Sequence, residues 1–112
     1  MKTEKGIVYI LLIELEGKPL VKIGVTRRKI EDRVSEILVS IFKKYREFPY
    51  CRPKRFKTAE DIFGKEKILH NMFKDRRHVT TKKFSGSTEF FDIPLDEAVD
   101  AYEELLRKSD SC

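Results

Sequence analysis

The 112-residue sequence predicts an α+β domain built on a small antiparallel sheet. Three observations lead to it. A β-branched apolar run near the start is followed by a Gly/Pro turn and a second apolar run. Three later stretches carry apolar residues at helical spacing. Short extended segments lie between them, giving the order β-β-α-β-α-(β)-α.

The first run, "GIVYILLIEL" (6–15), is continuous and reads as a central strand buried on both faces. "EGKP" (16–19) is a turn, and "LVKIGV" (20–25) returns as the second strand of a hairpin. Val34, Ile37, Leu38, Ile41, Phe42 and Tyr45 then form a helical stripe. That helix starts near Lys29 or Ile30 and ends before Pro49. "FPYCRPKRFKT" holds two prolines and reads as a loop whose end, "KRFKT", is a short third strand. Thr58 is placed to cap a second helix, with Asp61 near its positive end. The second stripe is Ile62, Phe63, Glu66, Leu69, His70 and Phe73. "HVTTKKFSGST" is a polar, mobile loop and "EFFDI" a short extended segment. A third helix begins near Pro94, with the stripe Leu95, Ala98, Val99, Tyr102, Leu105 and Leu106. The tail "KSDSC" is expected to fray.

Length and a hydrophobic content of 40% suit one domain over residues 1–112, with a small core. No apolar run approaches the ~20 residues that span a bilayer. Glu14 and Glu16 interrupt the only N-terminal apolar run, so no signal peptide is expected. Cys51 and Cys112 make neither a disulfide scaffold nor a zinc site, which suggests a reduced, cytoplasmic protein. Net charge is +5, unevenly spread: residues 43–83 hold 14 Lys/Arg against 5 Asp/Glu, whereas the remainder is mildly acidic. A basic middle suits a polyanion, most simply nucleic acid. A solvated, lysine-rich surface is the other reading.

Side chains alternate along a strand, so Leu20, Lys22 and Gly24 share one face. Gly24 leaves the sheet bare there and admits a ligand or another backbone. Lys22 carries its charge beside that patch, and Tyr9 on the first strand is a candidate neighbour. Arg33 falls in the first turn of the next helix. Glu66 lies in the apolar stripe of the second helix, where a carboxylate is costly unless met by a cation or by donors. It is either a stripe-edge Glu paired with Lys or Arg, or a ligand for a divalent ion. Together these residue types would suit phosphodiester hydrolysis: a metal and Arg for developing charge, a phenol or amine to help activate water. His70 follows Glu66 at i+4 on the same face. It is either a packed, hydrogen-bonded residue or a contact to metal water or substrate. His78 reads as part of a basic loop. Phe90 and Phe91 read as core, with stacking on a flipped base as the second reading.

The order "GIVYIL … VKIGVT … EDRV … KEKILHNMF … EFFDI" resembles the GIY-YIG nuclease superfamily over residues 6–93. The resemblance is closest to the branch named after phage T5 open reading frame 172, a DNA-binding type of domain. It implies a three-stranded antiparallel sheet flanked by helices; the C-terminal helix, at about 94–108, lies beyond the matched core. It also implies roles. Tyr9 matches the tyrosine that positions or activates the attacking water. Lys22 stands where the second motif has tyrosine, and Gly24 matches that motif's glycine. Arg33 matches the arginine that contacts the scissile phosphate, and Glu66 the carboxylate that anchors a single metal ion. In departure from the pattern, Arg33 comes one residue late, Ile37 replaces a histidine or tyrosine, and no asparagine in the last third matches. Lysine at position 22 would act as a base if its pKa were depressed, or else as a phosphate clamp.

The first reading is a metal-dependent DNA endonuclease. Its catalytic set is Tyr9, Lys22, Arg33, Glu66 and His70, with Mg²⁺ or Mn²⁺ on Glu66. Double-stranded DNA would be tracked by Gly24, Arg27, Arg28, Arg52, Lys54, Arg55, Arg76, Arg77, Lys82 and Lys83, if these converge on Glu66. The missing second tyrosine and auxiliary residues favour a second reading, a non-catalytic nucleic-acid-binding module on the same fold. A third is a phage or mobile-element protein that binds a host protein. Sequence specificity is left to the basic loops, a homodimer or a partner protein. No membrane contact is expected, and the branch suggests a phage or bacterial origin.

Overall fold

The structure, a computed structural model, describes residues 5–110, with the side chains of Ser109 and Asp110 left out. Strand β1 (Gly6–Leu15) and strand β2 (Lys18–Thr26) form the hairpin. Helix α1 (Ile30–Tyr45) follows, then strand β3 (Cys51–Ala59) and helix α2 (Ile62–Met72). A two-residue strand β4 (Phe90–Phe91) and helix α3 (Leu95–Asp110) complete the chain. Between α2 and β4 the chain makes two short 3₁₀ turns, Lys74–Arg76 and Ser87–Glu89. The sheet is antiparallel with order β3-β1-β2-β4. Among the described residues, no helix is long and apolar enough to cross a membrane.

The hairpin turns on Glu16 and Gly17, whose φ values of 56° and 83° are both left-handed. That matches the two-residue turn whose twist suits paired strands. β1 is central, and its apolar run feeds two cores. Tyr9, Leu11 and Ile13 pack with Leu20, Ile37, Ile41 and Phe90 under α1. Val8 and Ile10 pack on the other face with Val21 and Ile23 of β2 and with Leu69, Phe91 and Tyr102 of α2, β4 and α3. Tyr102 ties α3 to the sheet: its hydroxyl donates to the Val8 carbonyl at 2.6 Å and accepts from the Lys57 N–H at 2.9 Å.

Several sequence expectations are corrected. The sheet has four strands, not three, because "EFFDI" contributes β4. Phe90 and Phe91 are both fully buried, one in each core, so two residues suffice to fix a strand. β3 is longer than "KRFKT": it starts at Cys51 and runs through Pro53, which an edge strand tolerates, beside a bulge at Ile10/Leu11. Thr58 lies inside β3 and caps nothing. α2 instead follows Asp61, which has φ 51° and makes no side-chain cap bond. Finally, α3 continues to Asp110, so Lys108–Asp110 are helical, while residues 111–112 lie outside the described chain. Within α2, Phe63 turns to solvent despite its place in the stripe. The polar loop is also tied down. The Glu16 carboxylate accepts from the Tyr45 hydroxyl, from the Thr81 N–H and hydroxyl at 2.7 Å each, and pairs with His78 Nε2 at 2.9 Å.

Candidate active site

Register places Tyr9 opposite Gly24 across the hairpin. The bare glycine is used by that neighbour: a Cβ on Gly24 would lie 2.4 Å from the Tyr9 hydroxyl oxygen and 3.0 Å from Glu89 Oε1. Arg33, in the first turn of α1, donates from Nε to the Tyr9 hydroxyl at 3.2 Å and from Nη1 to Glu36. Burial pushes the Tyr9 phenol up to about 12, against the pull of Arg33. It is a neutral hydroxyl at physiological pH. Its oxygen is occupied by the guanidinium, so its own O–H remains to donate.

Lys22 is fully buried. Its ammonium donates to Glu89 Oε1 and lies 3.4 Å from the Gly86 carbonyl, between the rings of Tyr9 and Phe90 at 5.9 and 5.5 Å. Burial lowers its pKa, and the Glu89 carboxylate acts in the opposite direction.

On β2, β4 pairs only with Val21 and Lys22, while its other side bridges to Arg77, so the outer edge of β2 is uncovered beyond them. α2 closes that edge. His70 Nε2–H donates to the Ile23 carbonyl at 2.8 Å in the tautomer that this acceptor requires. Its ring packs edge-on to Phe91, and burial lowers its pKa. His70 is thereby a packed, hydrogen-bonded residue, with Nε2 4.0 Å from Glu66 Oε2. One turn earlier, Glu66 lies within electrostatic reach of Glu89, Lys22 and Arg33. Burial, and then the neighbouring Glu89 charge and hydrogen bond, push its carboxyl up to about 7, while Lys22 and Arg33 act the other way. Among the described residues no group of three or more His, Cys, Asp or Glu side chains is placed to share a metal ion. The carboxylates of this cluster are Glu66 and Glu89.

Tyr9, Lys22, Gly24, Arg33, Glu66 and His70 are thus brought together from both strands of the hairpin and two helices. The basic residues are not gathered so closely. Exposed Arg27 and Arg28 lead into α1, with Arg28 on Glu36 at 2.8 Å. Arg77 and Lys83 line a cavity of about 190 Å³ with Ser87 and Thr88, immediately before Glu89. Lys82 donates to the Lys44 carbonyl at 2.9 Å. Arg52 lies over the Tyr50 ring, and Lys54 is half-buried on β3. Arg55 is committed to Glu103 at 2.6 Å, and Arg76 to Glu97, both on α3.

Sequence reasoning missed Glu89. It sits in a loop without periodicity, and its partner Lys22 is 67 residues away. One signal was there: a carboxylate directly before two core phenylalanines must emerge at the mouth of that core. Glu16 and Glu36, which organise the hairpin turn and Arg33, were likewise unread.

The fold and site define a basic α+β domain with a cationic and acidic cluster on a β-hairpin. A family model, the T5orf172 domain, matches residues 6–106, and the chain belongs to that family, a nucleic-acid-binding type of domain. No curated protein and no solved structure matches it.

Proposed function

We propose that the chain is a metal-dependent endonuclease of GIY-YIG type that nicks or cuts double-stranded DNA. The observation that carries this reading is the Arg33–Tyr9 contact beside the hairpin, within electrostatic reach of Glu66. The donor set suits Mg²⁺ or Mn²⁺. The Glu89 charge pushes the Glu66 carboxyl up, and a hard divalent cation held by both would offset that repulsion while leaving positions for water and phosphate. When bound, the ion would neutralise charge at the phosphate and make its water more acidic.

The chain's own groups divide the remaining work. The Arg33 guanidinium, half-buried and fixed by Tyr9 and Glu36, stabilises charge developing on phosphorus. The neutral Tyr9 hydroxyl orients the attacking water as a hydrogen-bond partner. Water oxygen bonds to phosphorus as the bond to the leaving sugar oxygen breaks. The proton that water gives up is balanced by the one the leaving oxygen takes. Lys22 is enclosed, so acting as a base or phosphate clamp would require it to be uncovered.

That enclosure, at the position of the superfamily's second tyrosine, favours the second reading, a binding module without chemistry. A plasmid assay separates them. Supercoiled DNA is incubated with Mg²⁺, Mn²⁺ or EDTA and with wild type, Glu66→Ala or Tyr9→Phe. Endonuclease activity is expected as nicking abolished by EDTA and by Glu66→Ala, and slowed roughly 10²-fold in Tyr9→Phe. Binding without cleavage, unaltered by Glu66→Ala, would establish the module. No binding at low salt would point to a host-protein partner.

A further inference from the structure

We infer that Glu89 is the second carboxylate of the metal site, and that Lys22 acts through it as an enclosed counter-ion rather than on the substrate. This rests on the proposed endonuclease reading and deepens it.

The geometry around Lys22 is that of an internal partner. Its side chain has no exposed surface. An ammonium has three donors and no acceptor. Here Glu89 Oε1 and the Gly86 carbonyl receive it, with the faces of Tyr9 and Phe90 alongside. Two glycines clear the space. At Gly86, which has φ 83°, a Cβ would lie 2.7 Å from Lys22 Nζ. At Gly24 a Cβ would lie 3.0 Å from Glu89 Oε1. A phosphate oxygen could reach the nitrogen only by displacing the chain from Gly86 to Glu89.

Glu89 is held from two sides. The next two residues, Phe90 and Phe91, are fully buried and fix its backbone. Its carboxylate is held by Lys22, whose fully enclosed ammonium would be left unpaired without it. So placed, its Oε1 and the Tyr9 hydroxyl both crowd the bare Gly24, with Arg33 on that hydroxyl, and its charge acts on Glu66. A single Glu gives a divalent ion one protein ligand, and Mg²⁺ sites commonly use one or two carboxylates with water and phosphate. Glu89 supplies the second. Lys22 then does for this carboxylate what an outer hydrogen-bond partner does for any ligand: it fixes orientation. The positive charge in the middle of a buried strand is explained by the acid it must hold.

The test measures Mn²⁺ binding to the whole chain, without DNA, by calorimetry and by electron paramagnetic resonance of free Mn²⁺. The variants are Glu66→Gln, Glu89→Gln, Lys22→Met and Lys22→Met/Glu89→Gln. Circular dichroism checks folding, and DNA binding in EDTA is read alongside. Glu89→Gln is expected to weaken Mn²⁺ binding roughly tenfold or more, as Glu66→Gln does, with DNA binding in EDTA retained. Lys22→Met is expected to weaken it less. The double variant is expected to bind Mn²⁺ no more weakly than Glu89→Gln alone, because Lys22 has nothing left to act through. Where Lys22→Met does not fold, the double variant still decides, since replacing both members of a buried pair leaves no orphan charge. Wild-type Mn²⁺ affinity in Glu89→Gln would overturn the assignment, as would a double variant far weaker than Glu89→Gln. If wild type nicks plasmid and binds Mn²⁺ while Glu89→Gln binds it equally, only this inference falls. If wild type does neither, the endonuclease reading falls and takes this inference with it.

Discussion

Glu66 is the residue on which charge matters most. Its ordinary pKa is 4.5, and in the fold it is pushed up to about 7, chiefly by burial and then by Glu89. Between those values the folded chain holds a proton that the unfolded chain has released. Stability from this group therefore falls as pH rises through that window and stays lower above it. Chemical denaturation of wild type and Glu66→Gln at pH 5 and pH 8 checks this. Wild type is expected to lose stability relative to the variant on going to pH 8, and millimolar Mg²⁺ at pH 8 is expected to restore part of it. Residues of this kind were readable because a carboxylate in an apolar stripe breaks a pattern. Tyr9, Lys22 and Gly24 were readable for the same reason, by strand alternation. Glu89 broke no pattern, and a contact spanning 67 residues leaves no local trace.

Among the elements, the β1–β2 hairpin organises the most. Its strands were plain in the sequence, since their apolar runs and the Gly/Pro turn agree. The work of its turn was not, because it depends on groups far along the chain. Glu16 collects the Tyr45 hydroxyl at the end of α1 and Thr81 and His78 of the loop between α2 and β4. Burial raises its pKa, but these hydrogen bonds outweigh it and hold the carboxyl at about 2. The sign is opposite to that of Glu66: this stability is present above pH 4.5 and is lost as pH falls toward 2. Glu16→Gln is expected to cost about 1–3 kcal/mol at pH 7, the range for hydrogen bonds to a charged group. In urea melts at descending pH, the gap to wild type is expected to close below pH 4.5. β4 was the element least visible beforehand. Two residues have no period, and only burial of both rings on opposite faces makes them a strand.

At the scale of the whole molecule, basic charge is divided between cations paired with acids of α3 and cations that are not. Arg55 and Arg76 are spent on Glu103 and Glu97 of α3, so they brace the fold. Arg77 and Lys83 flank the segment that ends at Glu89. Charge counting along the sequence found an excess of cations but could not sort them, because their acidic partners lie in the last helix. DNA affinity measured against salt sorts them directly. Arg77→Ala and Lys83→Ala are each expected to reduce the log–log salt slope by about 1, and Arg55→Ala to leave it unchanged.

The enclosed ammonium of Lys22 carries a chemical consequence. Acylating reagents attack only an amine they can reach, and this nitrogen is sealed beneath Gly86 and Glu89. A brief pulse with an activated ester, read by mass spectrometry, is expected to mark exposed Lys29 and Lys43 and to pass over Lys22. The rate at which Lys22 is eventually tagged would then time how often the cover lifts, and equal tagging of all three would mean that it scarcely closes.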